Sequence, residues 1–270
     1  MRLLIAIDLS PESSEAARFA GVLHALLPGT ATLLAVVHHE QERSQGREML
    51  ASIGSAVPDL GDAQQRVRVG KTADEIVAEA GNGEHDLVIL GQRGQSRLAQ
   101  MLIGNTAIQV MAGSPVPVIV VHDSRSALRH LLVCTSGSDY ARSNVEQASR
   151  IAARAGADLR ILHVMSQIDV TPSSPAPGLD KPASWHVANG TPEGEHLAGL
   201  CRIAEEHGVH AEPVIRYGLV VDEIFAEARS NDYDLVVVGA HHRHGLAGFL
   251  LDDVTKTVIS HLRRPVLIVR

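Results

Sequence analysis

Asp86-Leu-Val-Ile-Leu-Gly91 returns 148 residues later as Asp234-Leu-Val-Val-Val-Gly239. Each copy is a short apolar run with a carboxylate at its head and a glycine at its tail. At the same spacing, Pro117-Val-Ile-Val-Val is repeated as Pro265-Val-Leu-Ile-Val. A run that is apolar throughout, rather than alternating, reads as a strand buried on both faces of a parallel sheet. Similar runs occupy residues 3–7, 31–37, 67–69, 87–90 and 116–121, and a second series occupies 131–133, 159–164, 214–215, 235–238 and 266–269. Amphipathic stretches separate them. In residues 12–27, for example, Ala16, Phe19, Ala20, Leu23 and Leu27 share one helical face. Strand and helix alternate through five strands, and then through five more. This predicts an α/β chain of two repeated units, each a five-stranded, mostly parallel, doubly wound sheet flanked by helices.

Nearer the start of each half the spacing is shorter. Leu4-Ile-Ala-Ile-Asp8 lines up with Leu132-Val-Cys-Thr-Ser136, only 128 residues on. The second half therefore carries an insertion of twenty residues, placed near 166–190. Thr171-Pro-Ser-Ser-Pro-Ala-Pro-Gly178 lies there, a composition that predicts a mobile loop. The expected domains are 1–123 and 128–270, joined by a short linker.

Composition narrows the function. Hydrophobic residues make up 45% of the 270, enough for ordered cores, and aromatics only 3%, so the cores are aliphatic. A formal charge of −7 argues against a general nucleic-acid binder, which would show a basic face. Cys134 and Cys201 are too few for a disulfide framework and read as small buried hydrophobes. The first apolar run is too short for a signal segment and is closed by Asp8, and no run approaches the length of a spanning helix. A cytoplasmic protein without a membrane partner is the expectation.

The fourth strand of the first half leads into Gly91-Gln-Arg-Gly94, and after nine intervening residues come Gly104-Asn105-Thr106 and a helical stretch, 107–111. Glycines at a strand's carboxyl end let a ligand approach the main chain closely. The third glycine sits where a helix begins, and there free N–H groups and the positive end of the helix dipole favour a phosphate. Asn105 and Thr106 add side-chain donors. The pattern is not a Walker A loop, since no Gly-Lys-Ser/Thr follows, and its glycines are too widely spaced for a dinucleotide fingerprint.

This loop resembles the ATP-binding loop of the universal stress protein family, and the repeat resembles that family's tandem, two-domain members. The resemblance covers nearly the whole chain, including Asp8 after strand one and Gly113-Ser-Pro-Val-Pro117 before strand five. It implies two Rossmann-like domains of the adenine nucleotide alpha hydrolase-like type and ATP, with or without Mg, as the cofactor. Asp8 would contact the adenosine, Val36 would meet the adenine edge through its main chain, and Gly91 and Gly94 would line the ribose and phosphates. Gly104, Asn105 and Thr106 would bind phosphate oxygens. The family usually has Ser or Thr where this chain has Asn105. The resemblance also implies that 116–121 and 266–269 pair antiparallel, and it raises a homodimer and an unknown protein partner. Without any of this, Asp8 reads as a turn or cap residue before Ser10-Pro11-Glu12.

The second half differs at the same positions. Gly94 becomes His242, Gly104 becomes Asp252, Asn105 becomes Asp253, Thr106 becomes Val254 and Asp8 becomes Ser136, while Gly239 is kept. A carboxylate about 5 Å from a phosphate charge costs roughly 3 kcal/mol at an effective dielectric of 20, against about 2 kcal/mol at most from the helix dipole. One ATP site, in the first half, is expected. His241, His242 and His244, with His163, could be imagined around zinc, but no spacing matches a metal motif and they read as solvated loop residues, as do His38 and His39. No residue is assigned as a catalyst or a metal ligand, and His24 and His85 read as surface positions. Three readings remain open: an ATP-binding regulatory protein of the stress response whose ligand orders the 91–104 loop, a slow ATPase, and a nucleotide-independent scaffold whose second half binds another ligand.

Overall fold

The computed structural model describes residues 1–8, 10–92, 103–136, 140–166, 178, 180–239 and 253–269. They form two compact units, residues 1–127 with 240–270, and residues 128–239.

The first unit runs β1 (Arg2–Ile7), α1 (Pro11–Leu26), β2 (Thr30–Val37), α2 (Arg43–Ala56), β3 (Gln64–Val69), α3 (Thr72–Ala80), β4 (Leu87–Gly91), α4 (Asn105–Gly113) and β5 (Val118–Val121). All five strands are parallel, in the order β3-β2-β1-β4-β5. Leu3, Leu4 and Ile5 of β1 have no solvent exposure, as a central strand covered on both faces requires. β3 pairs only with β2 among the described residues, and its Gln64, Gln65, Arg66 and Arg68 are not buried. That is why its apolar run looked so short. α1 starts cleanly. Ser10 caps it, accepting from the Ser13 N–H at 3.1 Å, and Pro11 occupies the first turn. Its inner face buries Ala16, Phe19, Ala20 and Leu23 completely.

The second unit runs β6 (His130–Thr135), α5 (Tyr140–Ala155), β7 (Asp158–Met165), α6 (Ala183–Ala188), α7 (Pro192–Glu206), β8 (Ala211–Tyr217), α8 (Val220–Ser230) and β9 (Leu235–Gly239). Its strands are parallel in the order β9-β6-β7-β8. The remaining elements of the second repeat, α9 (Asp253–His261) and β10 (Val266–Val269), belong to the first unit. There β10 runs antiparallel to β5, with Val266 opposite Val120 and Ile268 opposite Val118. The fold class is as expected, Rossmann-like and α/β in both repeats. The fifth strands pair as the resemblance implied, covering an edge of β5 that would otherwise be open.

The repeated hexapeptide is explained at both ends. The Asp86 carboxylate accepts from the Arg2 N–H at 2.8 Å, and Asp234 accepts from the Arg129 N–H at 2.7 Å and from His130 at 3.2 Å. Each aspartate thus fastens the start of its central strand. Each glycine admits a helix. A Cβ on Gly91 would stand 2.8 Å from the Glu12 carbonyl carbon, and one on Gly239 would stand 2.6 Å from the Asn144 side-chain nitrogen.

The mobile loop expected at 171–178 lies, but for Gly178, outside the described residues, while the described remainder of the insertion has structure of its own. Of residues 166–190, those described from 178 onward do not read as a loose loop but contain α6. His186 in α6 is 1% exposed and bonds the Tyr217 hydroxyl at 2.7 Å and Thr191 Oγ1 at 2.9 Å. The Tyr217 hydroxyl lies 2.9 and 2.8 Å from the carbonyls of Gly178 and Lys181, which share its one proton, on either side of Asp180, whose φ is +61°. Such over-determination is what holds a non-glycine residue in the left-handed region. The Pro/Ser composition that suggested mobility belongs to residues 171–177, which lie outside the described residues.

Candidate functional site

In the first unit the chain moves outward from β1 through β2 to β3, then returns to β4 on the other side of β1. That reversal leaves a crevice at the carboxyl ends of β1 and β4, the usual ligand position in an open α/β sheet. A cavity of about 420 Å³ lies there, within the range of small-ligand sites. Its wall includes Asp8, Val36, Gly91, Gly104, Asn105 and Thr106. Six of the seven residues expected from sequence therefore converge, although up to a hundred positions separate them. Gly94 lies outside the described residues.

The decisive element is α4. Gly104 is its N-cap, with φ −61° and ψ 143°, and no side chain caps the helix. Side chains cap α1 (Ser10) and α7 (Thr191), whereas α2, α3, α6 and α8 start without one, as α4 does. An α-helix leaves its first N–H groups without intrahelical partners, so the first turn of α4 sets amides of that kind at the cavity wall. Gly104 is held in place by its own N–H, which donates to the Gln92 carbonyl at 2.9 Å. Gln92 is buried, and its side-chain amide donates to the Ile259 carbonyl at 2.6 Å, closing the last turn of α9. Sequence reading had no means of seeing this clamp, since its partner is 167 residues away.

At the other end, Asp8 both lines the cavity and shapes the turn before α1, accepting from the Ser10 N–H at 2.9 Å. Ser10, not Asp8, is the helix cap. Val36 lies one residue before the end of β2. Sequence reading missed His38, Glu42, Gln45, Gly46 and Met49, which follow β2 and line the cavity, and Thr72 and Ile76 from α3. Nothing in their local pattern marks them. The Glu42 carboxylate accepts from the N–H groups of His38 and His39 at 2.9 and 3.1 Å, and these bonds hold it below the usual carboxylate range. Asp8 and Glu42 are the ionised side chains of the described wall, which includes no Lys or Arg.

Against this geometry stand the comparisons with known proteins. The sequence model of the Universal stress protein family matches residues 1–122 and again 127–270. The chain belongs to the universal stress protein family. It is a tandem member, because the family unit occurs twice. A universal stress protein of Mycobacterium tuberculosis is 28% identical over 299 residues, covering 99% of this chain and 96% of the relative. One from Mycolicibacterium smegmatis is 26% identical over 302 residues with the same coverage. The crystal structure of a universal stress protein from Archaeoglobus fulgidus superposes with a TM-score of 0.74 at 18% identity, covering 100% of this chain and 98% of the other, which speaks for the fold.

The second repeat of this universal stress protein is built differently at the carboxyl ends of β6, β7 and β8. The register that sets Ile7 opposite Ala35 in the first unit sets Thr135 opposite His163 in the second. Burial, reinforced by the neighbouring His196, pushes His163 below the ordinary imidazole range. His196 is lowered by burial and shares a 3.2 Å contact with Thr135 Oγ1. α6 lies so close that a Cβ on Gly194 would stand 2.2 Å from the His186 carbonyl oxygen. Of the residues replacing the phosphate loop, Asp253 opens α9 with an exposed carboxylate, whereas Asp252 and His241 to His244 lie outside the described residues.

The described residues also offer one potential metal group, Glu79, Glu84 and His85. Arg66 bridges both carboxylates and Arg68 reaches Glu79, so their guanidinium groups already supply the charge a cation would bring. Burial would raise Glu79, but the two arginines hold it below the usual range. His85, expected at the surface, is buried, and burial lowers it. The same arrangement recurs at the repeat spacing as Arg216, Glu227 and Tyr233, with Arg216 Nε 2.7 Å from Glu227. A network present in both repeats reads as part of the fold.

Proposed function

We propose that the chain is a nucleotide-dependent regulatory protein with one adenine-nucleotide site, in its 1–123 domain, and a degenerate 128–270 domain. ATP would place its phosphates on the amides of Asn105 and Thr106, its ribose near Asp8 and Gly91, and its adenine against the Val36 main chain. The observation that carries this reading is the uncapped start of α4 on the wall of a 420 Å³ cavity shared with Asp8 and Val36. The cavity's volume, about 420 Å³, lies in the range of small-ligand sites and supports this reading. The charge of its wall leaves a polyphosphate to be neutralised by the helix start and by a counter-ion such as Mg. The single-site stoichiometry is supported by α6, which packs its own backbone against Gly194, and by Asp253 at the start of α9. Isothermal titration with ATP tests the proposal: one site per chain is expected, and loss of that site in Gly104→Asp. Two sites per chain, or none, would refute it.

A further inference from the structure

The base end of the cavity carries a fixed anion that the phosphate loop does not explain. Glu42 sits in the short turn after β2, only six residues beyond Val36. Two backbone N–H groups, from His38 and His39, tie down its Oε2 at 2.9 and 3.1 Å. His38 and Glu42 both line the cavity. A carboxylate held by one oxygen keeps its other oxygen as an acceptor and can donate nothing while ionised. Its complement on a ligand is a hydrogen-bond donor.

We propose that Glu42 is the base-selecting residue of this site, accepting from an exocyclic amino group and so favouring a 6-aminopurine over purines without that group. The inference rests on the nucleotide reading of the cavity and names a feature of its ligand. The bonds from the His38 and His39 N–H groups hold the carboxylate against the main chain that leaves β2 just after Val36, on the same cavity wall. A base edge lying against that main chain would therefore present its amino group to Glu42. The ribose would lie toward Asp8 and the phosphates toward α4, which leaves this end of the cavity for the base. Because Glu42 is half-buried rather than sealed from water, its selectivity is modest, about tenfold.

The test compares ATP with purine riboside triphosphate, which differs only in having hydrogen for the 6-amino group. Dissociation constants of both are measured by titration for wild type, Glu42→Gln and Glu42→Ala. Wild type should prefer ATP about tenfold. The preference should shrink in Glu42→Gln, whose neutral amide oxygen is a weaker acceptor, and vanish in Glu42→Ala. A purely structural role for Glu42 would weaken both ligands equally and leave their ratio unchanged in both variants, which would overturn the assignment. Equal binding of the two ligands by wild type would overturn it as well, while leaving the nucleotide site standing. Failure of wild type to bind either ligand would remove the site and this inference with it.

Discussion

Replacing Gly104 with Asp should make α4 more stable and the site useless, two effects of opposite sign from one side chain. Gly104 has φ −61° and ψ 143°, a conformation open to any residue, so Asp introduces no backbone strain. As an N-cap, Asp accepts from the N–H groups two or three residues on and stabilises the helix by a few tenths of a kcal/mol over Gly. Those amides are the ones a phosphate would use. The new carboxylate would also stand about 5 Å from the nearest phosphate charge, costing roughly 3 kcal/mol at an effective dielectric of 20, or on the order of a hundredfold in affinity. Gly104→Asn separates the two contributions, since Asn caps equally well but carries no charge. The expected order of ATP affinity is Gly, then Asn, then Asp far below, while thermal midpoints run Asp and Asn at or above Gly. Titration calorimetry and thermal unfolding of the three proteins, at low and at physiological salt, measure both series. The Asp defect should narrow as salt screens it. If Gly104→Asp binds ATP within threefold of wild type at low salt, the phosphate does not sit on α4 and the reasoning fails.

With Asp8 and Glu42 as the charged side chains of the described wall, a triphosphate should depend on its counter-ion more than a monophosphate does. Chelating Mg should weaken ATP by about tenfold and AMP hardly at all, by titration with and without EDTA. Gly91→Ala should destabilise by about 1–3 kcal/mol in urea unfolding, because its Cβ would meet Glu12 backbone. Gly239→Ala should cost less, since its Cβ meets the Asn144 side chain, which can turn away. Stability should also fall on mild acidification. His85, His163 and His196 are all held below the ordinary 6.5 in the folded chain, so the unfolded chain takes up protons first. Their contribution is complete above 6.5 and is lost as pH drops through the folded values. The lowered carboxylates Glu79 and Glu227 act only below 4.5, so the window between reports the histidines. Urea midpoints measured from pH 7.5 to 5 should decline in wild type and decline less in His163→Gln.

The sequence alone determined which segments became strands, because burial on both faces demands apolar runs and those runs are local. It determined the duplication, and it placed the glycines and small polar residues of the loop before α4. It could not say why Asp86 and Gly91 recur. Their reasons are the Arg2 amide and the Glu12 backbone, both far along the chain. Nor could it find Glu42, since an acidic residue in a turn looks like any solvated one until β2 and α2 carry it to the cavity wall. Only tertiary structure decided that the last helix and strand of the second repeat join the first unit, where β10 meets β5. Only tertiary structure turned part of the insertion into α6, through bonds from His186 and Tyr217. Strand and helix periodicity are written in neighbouring residues. Strand pairing, caps borrowed from distant carbonyls and the walls of a cavity depend on which surfaces remain unburied once those elements form, and that choice is made by the folded chain as a whole.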